Sequence, residues 1–189
     1  MVDNQAVRSL SLFSAVVMVL SFAGMFAYFF VDENARELDV IMLILNSCWI
    51  ISLVSIYLPH AKSLGSFGLF GFIIAAVGLM WFVGFDFAHQ FAGPVLEGFQ
   101  PQIMDFENLP QPLLDGAYVA AGIAGAGFLL YGLSMLLGKV SIWQAIVFVV
   151  SGITLAVGYA LHIVPLALIF AFFIPIAVFT MNVKALKPA

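Results

Sequence analysis

Six unbroken apolar segments constrain this chain more than any other feature. They cover residues 10–30, 40–58, 66–85, 117–137, 141–161 and 165–181, and no Asp, Glu, Lys or Arg falls inside any of them. A helix of about 20 apolar residues crosses the ~30 Å hydrocarbon core of a bilayer. Only 8% of the residues are charged, against about 25% in soluble domains. The sequence therefore predicts an all-α integral membrane protein, with one membrane domain over residues 1–189 formed by a bundle of six transmembrane helices.

The segment at residues 10–30 is interpreted as a span rather than a cleaved signal peptide, whose apolar core is only ~7–15 residues long. The net charge of −4 offers no basic surface for nucleic acid. The apolar segments make the lipid bilayer the predicted surrounding. Polar residues within the segments are expected to form hydrogen bonds between helices. They are Asn46, Ser47, Ser52, Ser55, Ser134, Gln144 and Thr154.

The fourth segment carries small residues at a spacing of four. They are Ala117, Ala121 and Gly125 on one line, and Gly122 and Ala126 on another. Such spacing lets two helix backbones approach closely. We expect these residues to pack within the bundle, and the alternative is a seam between two copies of the chain.

The basic residues predict the orientation of the bundle. Five of the six fall before the first segment, in the second or fourth connection, or after the last segment; they are Arg8, Lys62, Lys139, Lys184 and Lys187. With six spans these places share one side, and basic residues collect on the cytoplasmic side of membrane proteins. We therefore expect a cell-membrane protein with both termini in the cytoplasm (N-in/C-in). The long loop between helices 3 and 4 is then extracytoplasmic.

This loop, residues 85–116, holds five of the ten acidic residues and four of the eight prolines. The prolines disfavour one long helix, and the phenylalanines disfavour free disorder. We expect short helical pieces that lie on the outer mouth as a lid, with the aromatic side chains facing down. The lid either covers a site for a ligand or partner, or seals the bundle as a structural plug. The candidate binding residues are Asp86, His89, Phe91, Glu97, Phe99, Asp105, Phe106, Asp115 and His162.

Three of these candidates also suit a metal ion. Asp86 and His89 are three residues apart, which places them on one face if helix 3 continues, and His162 ends the fifth segment on the same side. Two histidines and one carboxylate can bind a divalent transition metal, or His89 and His162 can ligate a haem. The simpler interpretation, which we prefer, needs no cofactor, because histidines at helix ends hydrogen-bond to water or to carboxylates.

The layout of the chain resembles the substrate-binding S-components of energy-coupling-factor vitamin transporters, which have a similar size, six spans and cytoplasmic termini. In that family an Ala-xxx-Ala motif on helix 1 docks the transport subunit, and Ser11 with Ala15 is the nearest match in this chain. The resemblance implies that a small molecule binds from outside, beneath the long loop.

The sequence supports three hypotheses for function. The leading one is a non-enzymatic binding or accessory subunit that holds a partner membrane protein or an apolar small molecule at its outer mouth. The second is a small-molecule transporter component like the S-components. The third is a haem- or metal-binding redox protein, which requires His89 and His162 to lie side by side.

Overall fold

The computed structural model describes residues 4–27, 30, 36–99, 110–161 and 163–186. Over these residues the chain is helical and contains no strand, which confirms the all-α prediction. A 3-10 turn, Leu58–His60, joins α2 to α3. The α-helices are α1 (Asn4–Ala27), α2 (Arg36–Tyr57), α3 (Ala61–Glu97), α4 (Gln111–Leu137), α5 (Ile142–Ala160) and α6 (Val164–Leu186).

Four helical stretches of the described residues are long and apolar enough to cross a membrane. They are Gln5–Ala27, Glu37–Glu97, Gln111–Leu137 and Ile142–Ala160. The second stretch has 61 residues and contains α2, the 3-10 turn and α3. In α6 the apolar stretch Phe172–Lys184 is shorter than these four.

Helices α3 and α4 are longer than the sequence predicts. We expected α3 to end near Phe85 and α4 to begin near Ala117, but α3 continues to Glu97 and α4 begins at Gln111. Pro112 lies in the first turn of α4, where proline costs little. Pro94 lies in the last turn of α3, where the hydrogen bond it removes affects only the end of the helix. The prediction of a lid of short pieces over residues 85–116 is therefore wrong for residues 86–97 and 111–116, and residues 100–109 lie outside the described part of the chain.

The connection between α2 and α3 depends on Gly65. This residue has φ 60° and ψ −162° within the span assigned to α3, a region of backbone conformation that is essentially restricted to glycine. The rings of Tyr57 and Phe72, on either side of the connection, stack with centroids 4.9 Å apart. The regular part of α3 therefore runs antiparallel to α2 from residue 66 onward, which agrees with the predicted start of the third segment.

Helix α4 lies at the centre of the bundle between α3 and α5, and small residues bring the three backbones together. On the α3 side, a methyl group added to Gly71 would lie 2.6 Å from the backbone nitrogen of Tyr131, and one added to Gly127 would overlap the backbone of Ala75. On the α5 side, a methyl group on Gly125 would lie 2.6 Å from the Gly152 carbonyl oxygen. The expectation that small residues of α4 pack within the bundle is confirmed for Gly125. Gly122, in contrast, is exposed, and a methyl group added to it would have no neighbour within 4 Å.

Helix α1 exposes apolar side chains and buries polar ones, as a lipid-facing helix does. Its exposed side carries Leu12, Val16 and Val19, each at least half exposed. Its buried side carries Ser11, Ser14 and Ser21. A water-soluble helix would show the opposite distribution, so this face is suited to hydrocarbon.

Polar side chains join the helices at several points among the described residues, and one of these bonds runs from the Trp49 ring nitrogen of α2 to the Ser21 hydroxyl of α1 at 3.0 Å. Ser55 of α2 donates to the Asn182 Oδ1 atom of α6 at 2.9 Å, and Asn182 donates to the Ser14 hydroxyl of α1 at 2.8 Å. Gln144 of α5 donates to Thr180 of α6 at 3.2 Å. The predicted bonds between helices are thus confirmed for Ser55 and Gln144.

The other hydroxyl groups of that prediction bond within their own helices. Ser47 donates to the carbonyl oxygen of Leu43, and Ser52 donates to that of Cys48. Ser134 and Thr154 likewise donate to carbonyl oxygens three residues earlier. Because a hydroxyl group in a helix can reach a carbonyl of its own preceding turn, the prediction of bonds between helices is wrong for these four residues.

We expect Gly127→Ala to destabilise the protein, because the new methyl group overlaps the Ala75 backbone and forces α3 and α4 apart. The free energy of unfolding in detergent should fall by about 1–3 kcal/mol, the usual cost of overpacking. Gly122→Ala is the matched control, since its methyl group meets no neighbour, and it should be neutral or stabilising by up to ~1 kcal/mol through helix propensity. Equal effects of the two substitutions would contradict the close α3–α4 contact.

Candidate functional site at the α3–α4 end of the bundle

The candidate site is centred on Asp86, whose carboxyl group is held between two helices. Because α3 continues to Glu97, Asp86 lies inside this helix rather than at its end. The Asn46 side chain, from the middle of α2, donates to the Asp86 Oδ2 atom at 3.3 Å. Both residues are half-buried. The predicted placement of Asp86 in the loop after the third segment is therefore wrong.

Aromatic and imidazole groups surround this pair. Asp86 interacts electrostatically with His89 of α3 and with Tyr159 of α5. The Tyr159 ring contacts the rings of Phe82 and Tyr118 edge-on, with centroids 5.5 and 6.4 Å apart. We refer to Asn46, Asp86, His89, Tyr118 and Tyr159 as the Asp86 cluster, which combines side chains from α2, α3, α4 and α5.

The register of the helices shows that α3 and α4 extend beyond α5. The contacts of Ala75 with Gly127 and of Gly125 with Gly152 fix how the three antiparallel helices align. Counting along the helices from these contacts places Ala160, the end of α5, level with Ala117 of α4 and Phe85 of α3. Residues 86–97 of α3 then continue for ~18 Å at about 1.5 Å per residue. We call residues 86–97 together with 111–116 the α3–α4 extension.

One face of the α3–α4 extension is apolar and exposed. Phe87, Phe91 and Val95 follow one another at a spacing of four and are 57%, 41% and 62% exposed. The rings of Phe87 and Phe91 contact each other with centroids 4.8 Å apart. Phe99 follows at 86% exposure. The expected burial of aromatic side chains against the outer mouth is thus wrong for Phe87, Phe91 and Phe99.

The remaining candidates are dispersed. Glu97, the last residue of α3, is exposed. Asp115 is also exposed and accepts a hydrogen bond of 2.8 Å from Gln111 within α4. Asp105, Phe106 and His162 lie outside the described residues. Of the predicted binding residues, the structure thus brings Asp86 and His89 together and leaves Glu97 and Asp115 on the surface.

Two of the three predicted metal ligands lie among the residues that the structure describes. Asp86 and His89 lie together as predicted, and the His89 ring also packs beside Phe85 with centroids 6.1 Å apart. The third predicted ligand, His162, is not among the described residues. Within the part of the chain that the structure describes, no group of three or more His, Cys, Asp or Glu side chains could hold a metal ion.

The motif that carries the resemblance to the S-components is buried. Ser11 is fully buried and Ala15 is 5% exposed, because α1 packs against α2 and α6. A transport subunit cannot dock on these two side chains in this arrangement. The resemblance to the S-components therefore rests on the layout of the chain and not on this motif.

Sequence reasoning listed Asn46 but did not pair it with Asp86, and it did not select Tyr118 or Tyr159. The predicted ends of the third and fourth segments placed Asp86 in a loop, where no helix–helix partner was sought. Asn46 could have indicated this contact, because it is the only Asn, Gln or charged residue in the segment 40–58. A side-chain amide in an apolar helix usually forms a hydrogen bond to a neighbouring helix.

Comparison of the chain with protein-family models, with curated proteins and with solved structures finds no match. The class that the fold defines is an all-helical protein with helices long and apolar enough to cross a membrane. Its candidate site combines a half-buried carboxyl group with an exposed aromatic face at the same end of the bundle.

We expect Asp86 and Asn46 to be energetically coupled. In a double-mutant cycle with Asp86→Ala and Asn46→Ala, unfolding in detergent should give a coupling energy of about 0.5–2 kcal/mol, the range of hydrogen bonds between membrane helices. Asp86→Asn should retain most of the stability, because its amide oxygen still accepts the hydrogen bond. Asp115→Ala is the control, since that carboxyl group is exposed, and additive effects of Asp86→Ala and Asn46→Ala would refute the pairing.

Proposed function

We propose that the protein is an integral membrane protein with six spans, one for each of α1 to α6, and with both termini in the cytoplasm. Two observations support this topology. The basic residues Arg8, Lys62, Lys139 and Lys184 all lie at one end of the helices, and the acidic residues Glu37, Asp39, Asp86, Glu97 and Asp115 lie toward the other. Basic residues mark the cytoplasmic side, so the α3–α4 extension is outside the cell.

This topology predicts opposite accessibility of the two ends. In a Cys48→Ala background, which removes the single cysteine, we introduce Glu97→Cys or Lys139→Cys. An impermeant maleimide added to intact cells should label the Glu97→Cys protein, and should label the Lys139→Cys protein only after the membrane is opened. The reverse pattern would invert the bundle, and labelling of both in intact cells would contradict the six spans.

We further propose that the protein is a non-enzymatic accessory subunit that binds a partner membrane protein through the α3–α4 extension. The observation that carries this proposal is the exposed face formed by Phe87, Phe91 and Val95. Three large apolar side chains in a row on a helix that rises past α5 are costly to leave in water. A helix of another membrane protein presents a complementary apolar face and removes that cost.

The Asp86 cluster supports this function by fixing the position of α3. Its hydrogen bond to Asn46 ties α3 to α2, and the close contacts of Gly71 and Ala75 tie α3 to α4. A helix held on two sides presents its free face in one orientation, so less conformational entropy is lost when a partner binds.

A second candidate function is a small-molecule transporter component, favoured by the Asp86 cluster alone. Asn46, Asp86, His89 and Tyr159 converge from three helices, and a few convergent polar groups among aromatic side chains are typical of ligand sites. On this hypothesis Asp86→Asn abolishes ligand binding while the protein remains folded.

Site-specific photo-crosslinking in native membranes tests the leading proposal. A photoreactive phenylalanine analogue at position 91 should give a discrete adduct with a second polypeptide. The same analogue at Ile73 is the control, because Ile73 is exposed on the same face of α3 about five turns earlier. Position 73 should yield lipid adducts. Phe87→Ser should weaken the adduct at position 91 severalfold, because it removes a ring that contacts Phe91.

Other outcomes distinguish the alternatives. Lipid adducts at both positions would show that bilayer alone covers the extension and would overturn the proposal. An adduct confined to residues 100–109 of the same chain would support a lid instead. A small molecule that is retained by the wild-type protein and lost in Asp86→Asn would favour the transporter component.

A further inference from the structure

A cavity of about 330 Å³ lies at the end of the bundle opposite the Asp86 cluster. It is a half-open cavity bordered by α1, the 3-10 turn, the α4–α5 turn, α5 and α6. Its lining residues are Val7, Pro59, His60, Val140, Ser141, Gln144, Met181 and Lys184. This volume is at the small end of the range of ligand pockets, about 300–1,000 Å³, and suits a headgroup rather than a whole lipid.

The walls of the cavity divide into a cationic and an apolar part. Lys184 lines it, and the side chain of this residue is exposed. His60 adds a ring N–H group that can donate a hydrogen bond to an anion, whereas the Ser141 hydroxyl donates to Gln144. Val7, Val140 and Met181 provide an apolar surface. A ligand that fits both parts is amphiphilic and carries its negative charge on a compact polar group.

Three further basic residues are close in sequence to the lining residues and lie at the same end of the bundle. Arg8 follows Val7 in the chain, Lys62 is two residues after His60, and Lys139 precedes Val140. The acidic residues that the structure describes lie on the second half of α3 and in the first turns of α2 and α4, away from this end. An anion that approaches the cavity therefore meets cations from several elements and no described carboxylate.

We propose that this cavity binds a phosphate group, with Lys184 as its charged contact and with His60 as a hydrogen-bond donor. A phosphate offers oxygens to several donors at once, and lysine binds it as a point charge. Two sources of this chemistry reach the cytoplasmic boundary of a membrane: an anionic phospholipid headgroup and a water-soluble phosphate ester. The apolar wall beside Lys184 accepts the acylated glycerol of the lipid, whereas a soluble ester would be held through its phosphate.

The floor of the cavity explains why the site keeps its shape. Gln144 is fully buried, bonds with Ser141 on one side and donates to Thr180 on the other. These bonds join the start of α5 to α6 beside Met181. The lining is therefore positioned by hydrogen bonds within the protein and does not have to form when the ligand binds.

The experiment measures binding of two probes to the purified full-length protein by native mass spectrometry and by titration. The probes are phosphatidylglycerol, compared with phosphatidylcholine, and soluble glycerol 3-phosphate. Lys184→Gln should weaken binding of the phosphate-bearing probe by at least about tenfold, because it removes a charge-assisted hydrogen bond. Val7→Trp, which fills the cavity and keeps every charge, should weaken it similarly.

Lys62→Gln is the matched control, because it removes one charge from the same end of the bundle without altering the lining. At about 1 M salt, where screening extends over only ~3 Å, the Lys62→Gln protein should bind like the wild type while Lys184→Gln remains weaker. Binding of phosphatidylglycerol alone assigns a lipid headgroup, and binding of glycerol 3-phosphate assigns a soluble ligand. Equal losses in Lys62→Gln and Lys184→Gln, or no preference over phosphatidylcholine and no binding of glycerol 3-phosphate, would overturn the proposal.

Discussion

The close approach of three helix backbones at α4 is the contact on which the rest of this structure depends. Gly71, Ala75 and Gly127 leave no room for a side chain between α3 and α4, and Gly125 with Gly152 does the same between α4 and α5. In lipid the hydrophobic effect gives little drive to join helices, so dispersion contacts between closely packed backbones supply much of the attraction. Such contacts also permit only one register, because a shift of one residue would place a larger side chain in the gap.

That register determines where the functional groups lie. It aligns the end of α5 with Phe85, so that α3 continues past its neighbour with Phe87 and Phe91 exposed. It also brings Tyr159 within electrostatic range of Asp86. The aromatic face and the polar cluster are therefore two results of one packing arrangement, on opposite sides of the same helix segment.

Polar groups have different roles at the two ends of the bundle. Toward the α3–α4 extension, the Asn46–Asp86 pair satisfies a carboxyl group that would be costly to leave unpaired in an apolar surrounding. In the interior, Asn182 bridges Ser55 and Ser14 and so links α2, α6 and α1. At the other end, Gln144 connects α5 with α6 beside the cavity that Lys184 lines. Buried amides thus stabilise the helix contacts, whereas the charged groups remain near the ends.

The sequence by itself determined the class of the protein, because apolar segments without charge have few alternatives to a helix in lipid. It also gave the turn at residues 59–65 and the small residues of α4, since proline and glycine act locally. It could not give the ends of α3 and α4, because the balance between Pro94 and the neighbouring helix-forming residues depends on packing against the adjacent helix. The pairing of Asn46 with Asp86 and the cavity beside Lys184 were likewise decided by tertiary structure, because both join residues distant in the chain through a register that only the three-dimensional contacts of α4 fix.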